Sequence, residues 1–453
     1  MLNKKRLILV FFIIFIYSLV FSQEETRVIN KTIDVNPDVF LWVKNKYGKV
    51  DISTNNEENK IFLNALIKVK GRDAKEFINN INIDIKENKS TVSFTTIYPT
   101  NESIKSLSYS VDYEIIVPKN ARVKTENEFG NIIINNINGP LDINISYGNI
   151  KIDNCKSQIT VSSKFSNVFI KNLGSECRVT NSYGNIKIEN ISGDIEVNNT
   201  FGKTEIQKVN GNVLVNSGYG AILIDDITGK ANISNKFGKI IGNNINGIFD
   251  ISNQNSDIKL NKVNFGRINN SFGSIEIEEI VGKGEVNIFN SNGSVKVSNS
   301  NSNIILKNHF DYIELKGIKG WVDIQSNNCS IKLNEIEGSI KVDNSFGSIS
   351  ISNIFSDLNI RNRNGRIEIN KIKKISEFYN IENEFGEIDI TFPSNLSGII
   401  NATTYFGNIE TNFSLNINKL SHNKIEASGK IGDGYSNIKL ETRNAGIKIR
   451  KRD

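Results

Sequence analysis

Along residues 129–263 the chain repeats one pattern of apolar and polar positions every 18 residues. Ile132, Ile150, Val168, Ile186, Ile222, Ile240 and Ile258 form one apolar column. Ile134, Ile152, Ile170, Ile188, Ile206, Ile224 and Leu260 form a second, two residues on. A third runs through Ile137, Cys155, Leu173, Ile191, Val209, Ile227, Ile245 and Val263. The other half of each unit aligns Leu141, Ile159, Cys177, Ile195, Val213, Ala231 and Phe249, then Ile143, Val161, Val179, Val197, Val215, Ile233 and Ile251. Asn, Lys, Asp, Glu and Ser fill the positions between. Period-two alternation is the mark of a strand with one buried face. Each half-unit therefore predicts a strand of about five residues ended by an Asn, Ser or Gly turn.

Aromatic–glycine pairs punctuate the repeat at Phe129-Gly130, Tyr147-Gly148, Tyr183-Gly184, Phe201-Gly202, Tyr219-Gly220 and Phe237-Gly238, with Phe165-Ser166 and Asn255-Ser256 filling the series. The phase then drifts, and the pattern returns at Phe272-Gly273, Phe346-Gly347, Phe385-Gly386 and Phe406-Gly407. No helical period appears between Gly130 and Ile369, and no Pro lies between Leu141 and Phe392, as a ladder that uses every N–H requires. Two architectures satisfy this pattern. In a parallel β-solenoid each unit is one coil and like residues stack on like. In an antiparallel meander the Asn138-Gly139, Asn210-Gly211 and Asn246-Gly247 pairs would be hairpin turns. The constant unit length favours the solenoid, because a coil has a fixed perimeter.

The expected fold is all-β: a parallel solenoid of 18-residue coils over residues 129–384, a β-rich N-terminal cap segment over 23–128, and irregular coils with a cap over 385–453. One short helix is expected near residues 73–81, where Phe77, Ile78 and Ile81 share a side. Residues 1–22 read as a signal peptide. Lys4, Lys5 and Arg6 precede an apolar run over 7–21, and Val20 and Ser22 are small enough for a cleavage site. The run is short for a bilayer span. Localisation is therefore expected to be export to the periplasm, the cell surface or the medium.

Composition narrows the function. Net charge is +6, and three of those charges sit in the leader, so the remainder is close to neutral and makes no case for nucleic acid. Two His leave little for a His-based metal site or a Ser-His-Asp triad. His309 and His422 have no carboxylate or Cys at metal-ligand spacing. Asp225-Asp226 and Glu278-Glu279 are paired, but adjacent strand residues point to opposite faces. Neither a Gly-x-Ser-x-Gly elbow nor a Walker loop is present, and no helix follows the Gly-rich turn at 429–434 to make a phosphate cradle. Cys155 and Cys177 occupy apolar columns and read as small buried hydrophobes; Cys329 stands where other units carry the turn Gly and reads as the one exposed thiol. The aromatic column could be a sugar-stacking strip, but is expected instead to fill the coil corner, ring on ring. The Asn-rich turns suit left-handed backbone geometry.

The motif order resembles a known family. Val43-Lys44-Asn45-Lys46-Tyr47-Gly48-Lys49-Val50-Asp51-Ile52 opens it, Val111-Asp112-Tyr113-Glu114-Ile115-Ile116-Val117-Pro118 leads to Phe129-Gly130-Asn131-Ile132, and Gly386-Glu387-Ile388-Asp389-Ile390, Phe406-Gly407-Asn408-Ile409, Gly432-Asp433-Gly434 and Gly446-Ile447-Lys448-Ile449 close it. In these the chain is similar to the bacterial putative-adhesin β-strand-repeat proteins, a domain family of unknown function related to the toast-rack and head-GIN adhesin-like domains. The resemblance implies an exported, right-handed solenoid-like fold without catalytic residues. The expected function is that of a non-enzymatic adhesin or envelope-surface interaction protein, with surface glycans or envelope proteins as partners and no cofactor, catalytic or metal site. An envelope scaffold or stress-sensing module is the alternative. A β-helix polysaccharide lyase or hydrolase is disfavoured, because an 18-residue coil has no spare loop to build a cleft.

Overall fold

The computed structural model describes residues 24–55, 57–99 and 107–452; the expected signal peptide lies outside the described residues. The chain packs as two compact units, one ending at Gly193 and one beginning at Asp194. Both are parallel β-solenoids, and the only helical turns among the described residues are Ala74–Phe77 and Ile78–Asn80, where the short helix was expected.

In the first unit Leu141–Cys155 lies parallel to Ile159–Leu173 with Leu141 opposite Ile159, Tyr147 opposite Phe165 and Cys155 opposite Leu173. Partners are one 18-residue period apart, which is the solenoid register and excludes the meander. Ile150, Ile152, Val168, Ile170, Ile186 and Ile188 are all buried. Identical branched side chains stacked about 4.8 Å apart leave little void, and that dry stack drives the fold. The N-terminal segment enters the same register: Phe40–Tyr47 pairs parallel with Arg122–Phe129, and Val50–Thr54 with Ile132–Asn135. Three long strands in two antiparallel pairings, Glu24–Asp34 on Lys60–Lys70 and Lys60–Lys70 on Ser108–Val117, continue from that coil.

In the second unit the 18-residue register holds from Ile195–Phe201 on Val213–Tyr219 through Ala231–Phe237 on Phe249–Asn255. The drift seen in the sequence has a structural form. Asn255 pairs with Phe272 after 17 residues and Phe272 with Asn292 after 20, the extra length being absorbed outside the strands around Val281–Gly284. Regular steps resume from Asn292 to Phe310 and on to Asn364. At the end of the chain the order crosses. Ser436–Thr442 sits between Phe378–Asn383 and Gly398–Tyr405, and the antiparallel hairpin Asn416–Ser421 with Lys424–Ile431 is added on the latter strand.

Each coil turns at two special places. After an aromatic residue the chain takes positive φ at Gly148 (145°) or Gly238 (127°), and a Cβ there would lie 2.1 Å from the Gly130 carbonyl oxygen or 2.2 Å from that of Gly220. That is why Gly follows the ring. Seven residues beyond the ring the backbone is left-handed again, at Asn136, Asn154, Asn172 and Asn190 in the first unit. Asn tolerates this geometry. Its amides also pair along the column, Asn154 Nδ2 donating to Asn136 Oδ1 and Asn190 Nδ2 to Asn172 Oδ1, both at 2.6 Å.

Candidate ligand groove

The ring column lies outside the core. Phe129, Tyr147, Phe165 and Tyr183 are 39–46% exposed, yet successive rings stack with centroids 4.8–4.9 Å apart and planes within 8°. The expected stacking is present; the expected filling of the corner is not. What occupies the corner is the residue two before the ring, a buried polar column that the apolar pattern did not reveal: Asn127, Ser163 and Asn181 in the first unit, Asn235, Asn253, Asn270, Asn290, Asn308, Ser326, Asn344 and Asn362 in the second. Its amides bridge carbonyls that the turn leaves unpaired. Asn235 Nδ2 donates to the Gly220 and Gly238 oxygens at 3.1 and 2.8 Å, and Asn362 Nδ2 to those of Gly347 and Gly365 at 3.1 and 3.2 Å. The recurring Asn-x-Phe/Tyr-Gly string was the available signal.

Beside this column, in the second unit, a recess of about 360 Å³ runs over four coils. One wall carries Ser252, Asn269, Phe289 and Lys307, stacked in register; the other carries Gln254, Ser271, Ser291 and His309. Asn253, Asn270 and Asn290 line the floor between them. The groove lies where the 17- and 20-residue steps interrupt the repeat. It offers amides, hydroxyls, one ring and two basic side chains, and no carboxylate. The Lys307 ammonium sits 5.9 Å from the Phe289 ring centroid, and Asn327 Nδ2 lies 3.0 Å from His309 Nδ1.

Of the residues singled out in the sequence, His309 lines the groove; the others fall elsewhere or are structural. Cys155 and Cys177 are buried as expected. Cys329 is buried too, at 0% exposure, which corrects the expectation that it faces solvent: Asp311 and Cys329 replace Gly at that turn, and the thiol folds inward towards the Asn308 carbonyl. Burial pushes the thiols up, Cys155 to about 11, Cys177 to about 12 and Cys329 to about 11, and all three are free. Asp225 accepts from Asn244 Nδ2 at 2.9 Å, while Asp226 is at a left-handed corner. Glu278 pairs with Lys259 at 2.6 Å, and Glu279 is exposed. His422 lies exposed in the terminal hairpin, and the 429–434 glycines lie in a strand end and its turn. Among the described residues no group of His, Cys, Asp and Glu is placed to hold a metal ion, and no helix is long and apolar enough to cross a membrane.

Among curated proteins, nothing matches the sequence. Three solved structures are among those the chain matches. A putative cell adhesion protein from Clostridium sporogenes is 9% identical, covers 94% of this chain and 100% of its own, and superposes with a TM-score of 0.14. A putative adhesin from Bacteroides fragilis is 10% identical over 58% of this chain and 97% of its own, with a TM-score of 0.19. Another from Parabacteroides distasonis is 11% identical over 70% and 97%, with a TM-score of 0.18. At such scores the overlap assigns nothing to individual residues. The family model that matches is the Toastrack DUF4097 domain, over residues 239–450, a stretch inside the second unit that includes the whole groove. That match agrees with the resemblance carried by the motifs, and residues 239–450 are therefore similar to the Toastrack β-repeat domain, whose function is unknown.

Proposed function

We propose that the protein is an exported, non-enzymatic interaction module of adhesin type, acting at the cell envelope or surface, and that its partner lies along the outer corner of the coils. The observation that carries this reading is the four-coil groove of amides and hydroxyls beside the exposed Phe272 and Phe310 rings. Such a surface makes many weak polar contacts in series, which suits an extended partner better than a small substrate. Its lining lacks the carboxylate pair that glycoside hydrolysis uses. The leader over residues 1–22 and the adhesin-like names of the structural neighbours support export and surface contact. The test is a capture experiment on isolated cell envelopes and surface polysaccharides, with product analysis alongside. Retention of envelope or surface material without cleavage is expected. Turnover of a polysaccharide, or no retention at all, would overturn the reading.

A further inference from the structure

The groove has a chemistry of its own that narrows its partner. Its two walls follow the coil axis for three coil rises, roughly 14 Å, so it accommodates a linear chain laid lengthwise. Gln254, Asn269, Ser252, Ser271 and Ser291 supply both donors and acceptors, as a chain rich in hydroxyl groups requires. The floor adds a second feature. Asn253, Asn270, Asn290 and, in the next coil, Asn308 spend their Nδ2 groups on turn carbonyls, and their buried Oδ1 atoms have no partner. Asn127 and Asn383 also carry unmet Oδ1 atoms, but the run of four in consecutive coils is at the groove. Before it, Asn235 Oδ1 accepts the Lys236 N–H; after it, Ser326 and Asn344 bond to each other. Unmet buried acceptors are costly, so a small shift of the floor that lets water or a ligand hydroxyl reach them would be favoured. Charge gives the last constraint. Lys307 and His309 lie together at one end, no carboxylate lines the groove, and Lys307 has no ion pair among the described residues. The Phe289 ring beneath the ammonium holds it in place without neutralising it.

From this arrangement we infer that the groove binds one strand of an acidic polysaccharide, with hydroxyls along the amide and serine walls and a carboxylate or sulfate at Lys307 and His309. The inference rests on the adhesin reading and gives that reading a ligand class. The experiment is calorimetric titration of the full protein with oligouronate, with a sulfated oligosaccharide of equal length, and with a neutral oligoglucoside. At least one acidic ligand should bind, more weakly as salt rises, and the neutral one should bind at least tenfold more weakly. The two acidic arms decide between carboxylate and sulfate. Lys307→Gln should weaken binding by about tenfold or more, the loss of one charge-assisted contact, and His309→Ala should weaken it further. Both side chains are exposed, so the variants should keep the wild-type melting temperature. Lys119→Gln with Lys156→Gln should leave binding unchanged; these two line a polar recess in the first unit. Equal binding of neutral and acidic ligands, or a loss caused by the Lys119 and Lys156 changes but not by Lys307→Gln, would overturn the assignment. If no saccharide binds while envelope material is still captured, the inference fails and the adhesin reading stands. If neither binds, both fail.

Discussion

The ring column differs between two regions whose inner apolar columns are alike. In the first unit Phe129, Tyr147, Phe165 and Tyr183 follow one another in successive coils, so each ring spends its faces on its neighbours and shows solvent an edge. From Phe237 onwards in the second unit, ring and amide alternate in register: Asn255, Phe272, Asn292, Phe310, Asn328, Phe346, Asn364. Phe272, Phe310 and Phe346 are about half exposed and make no ring–ring contact among the described residues. The inner columns are alike in both regions, and so is the buried residue two before the ring, polar in each of these coils except at Ile145 before Tyr147. The fold therefore depends on the inner columns and tolerates variation at the ring position, and the second unit uses that freedom to carry a polar groove.

Changes at shared positions should be costly in both regions, and changes at the ring position in only one. The largest effect is expected from charging the core. Ile152→Asp in the first unit and Ile224→Asp in the second bury an unpaired carboxyl in a dry column and should each cost roughly 4 kcal/mol or more, enough to prevent folding. Lys151→Asp, one residue away on the exposed face, should stay within about 0.5 kcal/mol by denaturant titration. Next comes the buried amide column. Asn344 accepts from Ser326 at 2.7 Å and donates to the Cys329 and Phe346 carbonyls at 3.1 Å, so Asn344→Ala should cost about 2 kcal/mol. At the ring position Tyr147→Ala removes two stacked contacts and should cost roughly 1–2 kcal/mol. Phe310→Ala removes none and should cost under about 0.5 kcal/mol; equal losses for the two would erase the distinction between the regions.

The smallest effect is electrostatic. Burial pushes the Glu382 carboxyl up, but the hydrogen bond and charge of Lys439, with the charge of Arg361, outweigh it and hold the group below the usual carboxylate range. A depressed folded value stabilises the fold above the ordinary carboxylate pKa of about 4.3 and loses that contribution as pH falls through the folded value. The melting temperature of Glu382→Gln should therefore change less than that of the wild type between about pH 5 and pH 3. A wild-type curve no steeper than that of the variant would remove Glu382 from the account.

The apolar columns were legible because burial selects branched aliphatics at fixed spacing, and Ile150, Ile188 and Ile224 are each read directly as core. The corner was harder. Asn127, Asn235 and Asn362 look like ordinary turn asparagines in a chain full of Asn; the Asn-x-Phe-Gly string marks Asn127 and Asn235, and the carbonyls they bond show their role. The groove was not legible at all. Ser252, Asn269, Phe289 and Lys307 share no residue type, and their alignment depends on the 17- and 20-residue steps that obscure the repeat. Cys329 misled because its turn replaces Gly with a residue whose side chain folds inward.

The parallel 18-residue register underlies every one of these statements, and a pair of spin labels tests it. Asn144 and Ser162 are register partners on the outer face. The native thiols are buried with raised pKa values, so label added at neutral pH goes to introduced cysteines. Asn144→Cys with Ser162→Cys should give strong dipolar broadening in the spin-resonance spectrum. Asn135→Cys with Asp142→Cys, which a hairpin at Asn138-Gly139 would place opposite each other, should give far less. The reverse result would mean an antiparallel meander and would contradict the solenoid.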